Sequence, residues 1–373
     1  IYTLSLHDAL PIFGRTGWEK KMIPDKMKAI VIPKAGAAEV REMTAPVPEA
    51  GEVLIRLRHC MICTWEQRIF KGEDVPLPFV PGHEVSGEVA YIPENTICDL
   101  QVGDPCVVKT FDSCGQCEYC RRGMDNLCKG KKKKRIYDGI PGSGGMAEYI
   151  AISSDRIFKL PGRHVDLEAA AFAEPLACCL HSMEQAKLSF GEDVVIVGGG
   201  IMGQLHVLLA KLSGARVILA EPDERRREVA LSIGAHDVFN PVEKDAETEI
   251  RRLTESRGPH AVIFTVNNLN LAGDYIKILA DRGRLVYYGS FHPRNDIPFS
   301  PNGIHYSEKV ITGSYSPTIK AFWQATQLLG KKLIDVHPLL SEKYDMVDAE
   351  TAFNRALSME TFRVLIHLNG SAG

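Results

Sequence analysis

Residues 193–210 read DVVIVGGGIMGQLHVLLA, and within them GGGIMG at 198–203 satisfies G-x-G-x-x-G through Gly198, Gly200 and Gly203. Glycine is common, so the weight lies in the context. The motif directly follows an apolar strand-like run, opens a helix-like one, and is followed 18 residues after Gly203 by Glu221, at the end of the next strand-like run RVILAE. The glycines permit a tight turn, close backbone approach to a pyrophosphate and tight helix packing, and a helix starting at Ile201 and Met202 offers N–H groups and a positive dipole end to phosphate. A carboxylate at Glu221 accepts from ribose hydroxyls and repels a 2′-phosphate, which favours NAD over NADP. Arg226, in the run 225–227, lies where an arginine accommodates that phosphate instead.

Working outward, the alternation of apolar runs and helical stretches continues through HDVFN, PHAVIFTV (259–266), GRLVYYGS (283–290) and KVITGS (309–314), giving six candidate strands. Six strands with intervening helices predict an α/β, doubly wound parallel sheet with its ligand crevice at the carboxyl ends of the strands. Before it, residues 27–160 carry short β-like runs such as MKAIVI, EVLIRL and VSGEVAYI between Pro and Gly punctuation, which predicts an all-β unit. After it, helix-like KAFWQATQLLG and strand-like FRVLIHL return to complete that first unit. The division expected is 22–175 with 316–373 for the β unit and 176–315 for the nucleotide-binding unit. Residues 1–21 are set aside as a non-native leader, because TLSLHDALPI at 3–12 resembles a translated sequencing adapter; the expected start is Met22 or Met27.

A chain of 373 residues with 45% apolar residues buries full cores, and a formal charge of −3 supplies no general drive toward nucleic acid or anionic membrane. The basic run KGKKKKR at 129–135 reads as a solvated loop. The most apolar stretch, 194–210, is short for a membrane span and carries three adjacent glycines. Ten cysteines in a chain this long fit metal ligation in a reducing compartment better than a disulfide framework, so a cytoplasmic location is expected.

Cys114, Cys117, Cys120 and Cys128 form C-x2-C-x2-C-x7-C, a spacing that lets four thiolates converge on one structural Zn²⁺ in a lobe at 112–130. Such a closed site holds a loop of low apolar content and leaves no position for substrate. A catalytic metal needs mixed ligands and an open position, and the candidates are a cysteine in HCMICTWEQRIFKG (59–72), His83 and Glu84 in PGHEVSGEV (81–89), and Glu174 in AEPLACCLH (173–181).

These pieces, together with VGD at 102–104, NLC at 126–128, GGMAEY at 144–149 and EPLA at 174–177, make the sequence resemble the zinc-containing medium-chain alcohol and polyol dehydrogenases from Met27 onward. The resemblance implies a chaperonin-10-like β catalytic domain and a Rossmann domain with the active site between them, two Zn²⁺ per chain, and a homodimer or homotetramer. It implies Cys63 and His83 as catalytic zinc ligands, with Glu84 and Glu174 as carboxylates that ligate or adjoin the metal. A glutamate at 174, where the alcohol branch has cysteine, points toward sugar alcohols and related secondary alcohols. Glu66 is expected to orient His83, and Cys60 to be a small buried hydrophobe. The family's proton-relaying hydroxyl and histidine are replaced by Trp65 and Arg68, which leaves Thr64, Glu84, Glu174 or water for that task.

The implied activity is NAD-linked oxidation of a small-molecule secondary alcohol (a polyol, cyclitol, sugar acid or amino alcohol) to the ketone, with no nucleic acid or membrane partner. Competing readings are a zinc-free enone or quinone reductase of the same fold, disfavoured by the cysteine lobe, and a nucleic-acid-binding zinc module using KGKKKKR, disfavoured by the net charge.

Overall fold

The computed structural model describes residues 23–130, 134–162, 164–291 and 295–369, so the expected leader, Met22 and the centre of the lysine run lie outside the described residues. The first strands are β1 (Lys26–Val31) and β2 (Glu39–Thr44), an antiparallel pair. Then come β3 (Glu52–Ile62), helix α1 (Thr64–Phe70), β4 (Glu84–Tyr91), β5 (Pro105–Val108), β6 (Tyr149–Ser153) and β7 (Ile157–Lys159). The long helix α2 (Ala173–Ala186) leads into β8 (Asp193–Val197), α3 (Ile201–Leu212), β9 (Arg216–Ala220), α4 (Glu224–Ile233), β10 (Asp237–Phe239), β11 (Ala261–Phe264), β12 (Arg284–Tyr287) and β13 (Val310–Gly313). The chain closes with α5 (Ile319–Gly330), β14 (Leu340–Asp345), α6 (Ala349–Ala356) and β15 (Arg363–His367).

Two sheets carry the molecule. In the first, the order is β14-β15-β3-β4-β5-β7, with β6 also pairing β3. The C-terminal β15 therefore lies beside β3, antiparallel, with His367 opposite His59. The second sheet is parallel throughout, in the order β10-β9-β8-β11-β12-β13. Numbered from its own first strand, this is the 3-2-1-4-5-6 order of the doubly wound nucleotide-binding fold, whose switch point lies between β8 and β11. All five residues of β8 are buried, as a strand covered by helices on both faces requires.

The helix α2 runs through the expected division at 175/176. Pro175 is its third residue, where the missing N–H leaves no intrahelical bond unmade, so the proline that reads as a boundary is a helix-opening residue. No helix among the described residues is long and apolar enough to cross a membrane.

Candidate active site

Cys63 ends the run after β3 and is the N-cap of α1, its Sγ accepting from the Trp65 N–H at 3.2 Å. One turn in, Glu66 is fully buried and its Oε1 takes two donors, His83 Nδ1 at 2.6 Å and the Gly82 N–H at 3.2 Å. Gly82 has φ +101°, and a side chain there would collide with the Met146 backbone, so the PGHE turn depends on glycine. With Nδ1 held by Glu66, His83 presents Nε2 to Cys63 Sγ at 3.5 Å and to Glu174 Oε2 at 4.0 Å. Glu174 comes from the first turn of α2, and its other oxygen accepts from the Cys178 thiol at 3.4 Å.

Glu84, the next residue after His83, is buried and paired with an arginine absent from the sequence-based expectation: Arg363 Nη2 donates to Glu84 Oε1 at 2.7 Å, with both side chains nearly inaccessible. A charged residue opening the apolar strand β15 was the available signal, and only the pairing of β15 with β3 brings it here. Glu84 Oε2 is buried without a partner.

Burial pushes the Cys63 thiol up to about 12 and Glu84 up to about 7, the latter held back by Arg363. For His83, burial opposes the charge, but Glu66 and Cys63 beside it outweigh burial and raise its pKa. Thiol, imidazole and carboxylates form two buried clusters that share His83: ligating atoms of His83, Glu84 and Glu174 lie within 4.8 Å of one another, as do those of Cys63, Glu66 and His83. A tetrahedral zinc with arms of about 2.3 Å to sulfur and about 2.0 Å to nitrogen separates those atoms by about 3.5 Å, which matches the Cys63–His83 distance of 3.5 Å. The donor chemistry, the orphan Glu84 oxygen and the fixed imidazole orientation all fit a divalent ion.

Of the other expected residues, Thr64 is exposed at the first position of α1 and is not among those ligating clusters. Arg68 ion-pairs with Asp74 at 2.6 Å rather than reaching the metal cluster. Trp65 packs edge-on to the His83 ring at a centroid distance of 5.5 Å. Cys60 is fully buried in β3, its thiol against the Met61 carbonyl.

In the four-cysteine lobe, Cys117 Sγ is 3.6 Å from Cys120 Sγ and 3.9 Å from Cys128 Sγ, and Cys114 Sγ is 4.0 Å from Cys120 Sγ. The edge of a tetrahedron with 2.3 Å arms is about 3.8 Å, so the sulfurs are spaced for one zinc. The Cys120 backbone N–H holds the Cys117 thiol down to about 6, the direction that favours a thiolate ligand. All ten cysteines are free of disulfides.

At the carboxyl end of β8, Gly198 has φ +99°, and added side chains at Gly198 and Gly203 would overlap Val266 and the Gly198 carbonyl, respectively. Gly200, the N-cap of α3, has open space where its side chain would be, the opening a pyrophosphate needs. Ile201 and Met202 form the first turn of α3 and are half-buried. Glu221 follows β9, accepting the Gly199 N–H at 2.5 Å on one oxygen and the Asp223 N–H at 2.9 Å on the other. Arg226 donates to the Met359 carbonyl at 2.8 Å, away from Glu221.

Residues 49–162 match the alcohol dehydrogenase GroES-like domain and residues 202–331 the zinc-binding dehydrogenase domain. The chain is 31% identical over 84% of its length to 2-dehydro-3-deoxy-L-galactonate 5-dehydrogenase of Pseudoalteromonas atlantica, spanning 90% of that protein. The chain belongs to the zinc-dependent medium-chain dehydrogenase family. A second member, L-threonine 3-dehydrogenase of Pyrococcus horikoshii, is 31% identical over 92% of this chain and 99% of its own. Among solved structures of the family, a chain described as a zinc-binding dehydrogenase from Sinorhizobium meliloti 1021, bound to NADP, superposes with a TM-score of 0.83 at 27% identity, covering 92% of this chain and all of that one. The protein is therefore a dehydrogenase, with the GroES-like and Rossmann units of its family.

Proposed function

We propose that this dehydrogenase oxidises a secondary alcohol of the polyol, cyclitol or sugar-acid class to the ketone, using NAD and two zinc ions per chain. The observation that carries the reading is that Cys63 Sγ at 3.5 Å and the Glu174 carboxylate at 4.0 Å both flank the buried His83 Nε2, with His83 Nδ1 taken by Glu66. Cys63, His83 and Glu174 would hold the catalytic zinc, and Cys114, Cys117, Cys120 and Cys128 the structural one. When bound, the catalytic zinc supplies a Lewis acid for the alcohol oxygen.

The chain's own residues do the rest. Glu66 fixes the tautomer and direction of His83. Arg363 occupies one oxygen of Glu84 and opposes the rise that burial imposes on it, leaving the other oxygen as an acceptor for the substrate's hydroxyl proton. The opening at Gly200 and the first turn of α3 would hold the cofactor pyrophosphate. Glu221, held at the end of β9 by the Gly199 and Asp223 N–H groups, lies beside the glycine turn, and Arg226 is turned to Met359, which supports NAD. The edge of β13, which pairs with no further strand among the described residues and where Val310 is exposed, supports pairing of two copies. The relative that acts on a dehydrodeoxygalactonate supports the sugar-acid end of the range.

Metal analysis of the purified protein should return two zinc ions per chain. Cys63→Ala or His83→Ala should abolish turnover of secondary alcohols while NADH still binds and quenches protein fluorescence. Turnover retained without the second zinc ion overturns the proposal.

A further inference from the structure

We propose that Cys178 is a positioning residue of the metal cluster: its thiol holds one oxygen of Glu174 and leaves the other for the ion. The inference rests on the metal reading above and adds to it a side chain that has no part there. Glu174 and Cys178 stand one turn apart on α2, at i and i+4, the spacing at which side chains of a helix meet. Cys178 Sγ donates to Glu174 Oε1 at 3.4 Å, and among the described residues it is the one hydrogen-bond donor to that carboxylate. Glu174 Oε2 lies 4.0 Å from His83 Nε2. The two oxygens therefore differ in their surroundings before any ion binds: one is occupied within its own helix, and the other faces the imidazole.

The same division recurs at the other carboxylates of the cluster. Glu66 Oε1 takes His83 Nδ1 and the Gly82 N–H while its Oε2 has no partner, and Glu84 Oε1 takes Arg363 while its Oε2 has none. What differs is the donor. Glu84 is held by a guanidinium with its full charge, Glu174 by a thiol, which is a weak and neutral donor. A guanidinium on Glu174 would compete with the ion for the carboxylate's charge, whereas a thiol directs the group and leaves that charge in place.

Cys179, the next residue, supplies an internal comparison. It is fully buried and directs its thiol at the Met202 carbonyl, 3.7 Å away, rather than at a carboxylate. Two adjacent cysteines of one helix thus divide into a packing residue and a residue that aims another side chain. Without the Cys178 thiol, both Glu174 oxygens are free to turn to the ion, and the carboxylate has to be ordered when the ion binds instead of beforehand.

The test exchanges cobalt(II) for zinc at the catalytic site of the full chain, with zinc retained in the four-cysteine lobe and metal analysis confirming one of each. Visible absorption then reports the number of ligands on cobalt, since four-coordinate ions absorb more strongly than five-coordinate ones, and competition with a chelator gives the affinity. Cys178→Ala should weaken the absorption, because Glu174 then binds through both oxygens. It should also lower the affinity about tenfold, the low end for loss of a group that orients a ligand. Cys178→Ser keeps a hydroxyl donor at that position and should restore both readings, while Cys179→Ala should match the wild type. Circular dichroism checks that each variant folds. Unchanged absorption or affinity in Cys178→Ala, a serine variant no better than alanine, or the same shifts in Cys179→Ala overturns the role of Cys178 alone. A wild type that takes up only one metal ion per chain overturns the metal reading itself, and this inference with it.

Discussion

At the scale of single residues, the decisive side chains are those whose hydrogen bonds aim another group. Glu66 is remote from any substrate, yet it sets which nitrogen of His83 faces Cys63. Glu66→Gln keeps an acceptor and removes the charge, so it should lower zinc affinity at this site by about tenfold or more while leaving the fold intact. Competition with a chromogenic chelator measures this, and an unchanged affinity would deny Glu66 a positioning role. A second buried histidine gives a stability prediction. His206 in α3 is inaccessible, donates Nδ1–H to the Met202 carbonyl at 2.7 Å, and is lowered by burial to about 4. Between its ordinary value near 6.5 and about 4, the unfolded chain binds a proton that the folded chain refuses. Stability should therefore be complete above the higher value and fall by about 3 kcal/mol as pH drops through this window. Denaturant midpoints of wild type and His206→Leu between pH 7 and 4 should differ in slope, and parallel slopes would show that His206 does not titrate so. Cys63 and His83 were singled out by the resemblance to the family, since spacing alone left the choice of cysteine in 59–72 open, and the fold sets their Sγ and Nε2 3.5 Å apart. Arg363 was not, because its partner Glu84 lies 279 positions away and only the β15–β3 pairing joins them.

At the scale of elements, periodicity revealed the parallel sheet because its central strands β8, β9 and β11 are buried on both faces and read as unbroken apolar runs. The four-cysteine lobe is the opposite case: its spacing announced a metal site, while the backbone needed to build it stayed hidden. Gly130 reads as a spacer at the head of a lysine run, yet a side chain there would overlap Cys114 Sγ, and its N–H donates to Cys128 Sγ at 3.4 Å. Gly130→Ala should therefore displace Cys114 and lower zinc content toward one ion per chain, with the catalytic ion retained. Metal analysis reads the outcome, and two zinc ions in the variant would show that the lobe yields to the added methyl. Helix α2 was not read from the sequence, which offered AEPLACCLH only as a source of a metal ligand, because a proline at the third helical position reads as readily as a break between units.

At the scale of the whole molecule, the lobe does more than hold its own loop, because it grips the segment by which the chain returns from the parallel sheet to the β unit. Asn126 Nδ2 donates to the Tyr315 carbonyl at 2.8 Å, and Asp125 Oδ1 accepts from the Ile319 N–H at 2.9 Å at the start of α5. The other Asp125 oxygen faces Lys109 Nζ at 3.1 Å, both side chains being about 5% exposed, so β5 is tied in as well. Three parts distant in sequence thus meet at one carboxylate, and the two sheets that bracket the active site share a brace. Asp125→Ala removes the acceptor of Ile319 and leaves Lys109 buried without its counter-charge, which should cost about 3 kcal/mol or more. Asp125→Asn keeps an oxygen for Ile319 and forfeits the charge, so it should lie between the two. Because the damage falls on the connection between the units, Asp125→Ala should also weaken NAD-dependent turnover at temperatures well below its unfolding transition. Thermal denaturation and kcat/KM measured on the same preparations separate the effects: a drop in melting temperature with unaltered kinetics would confine Asp125 to local stability, and a drop in both is expected if the lobe sets how the two units meet.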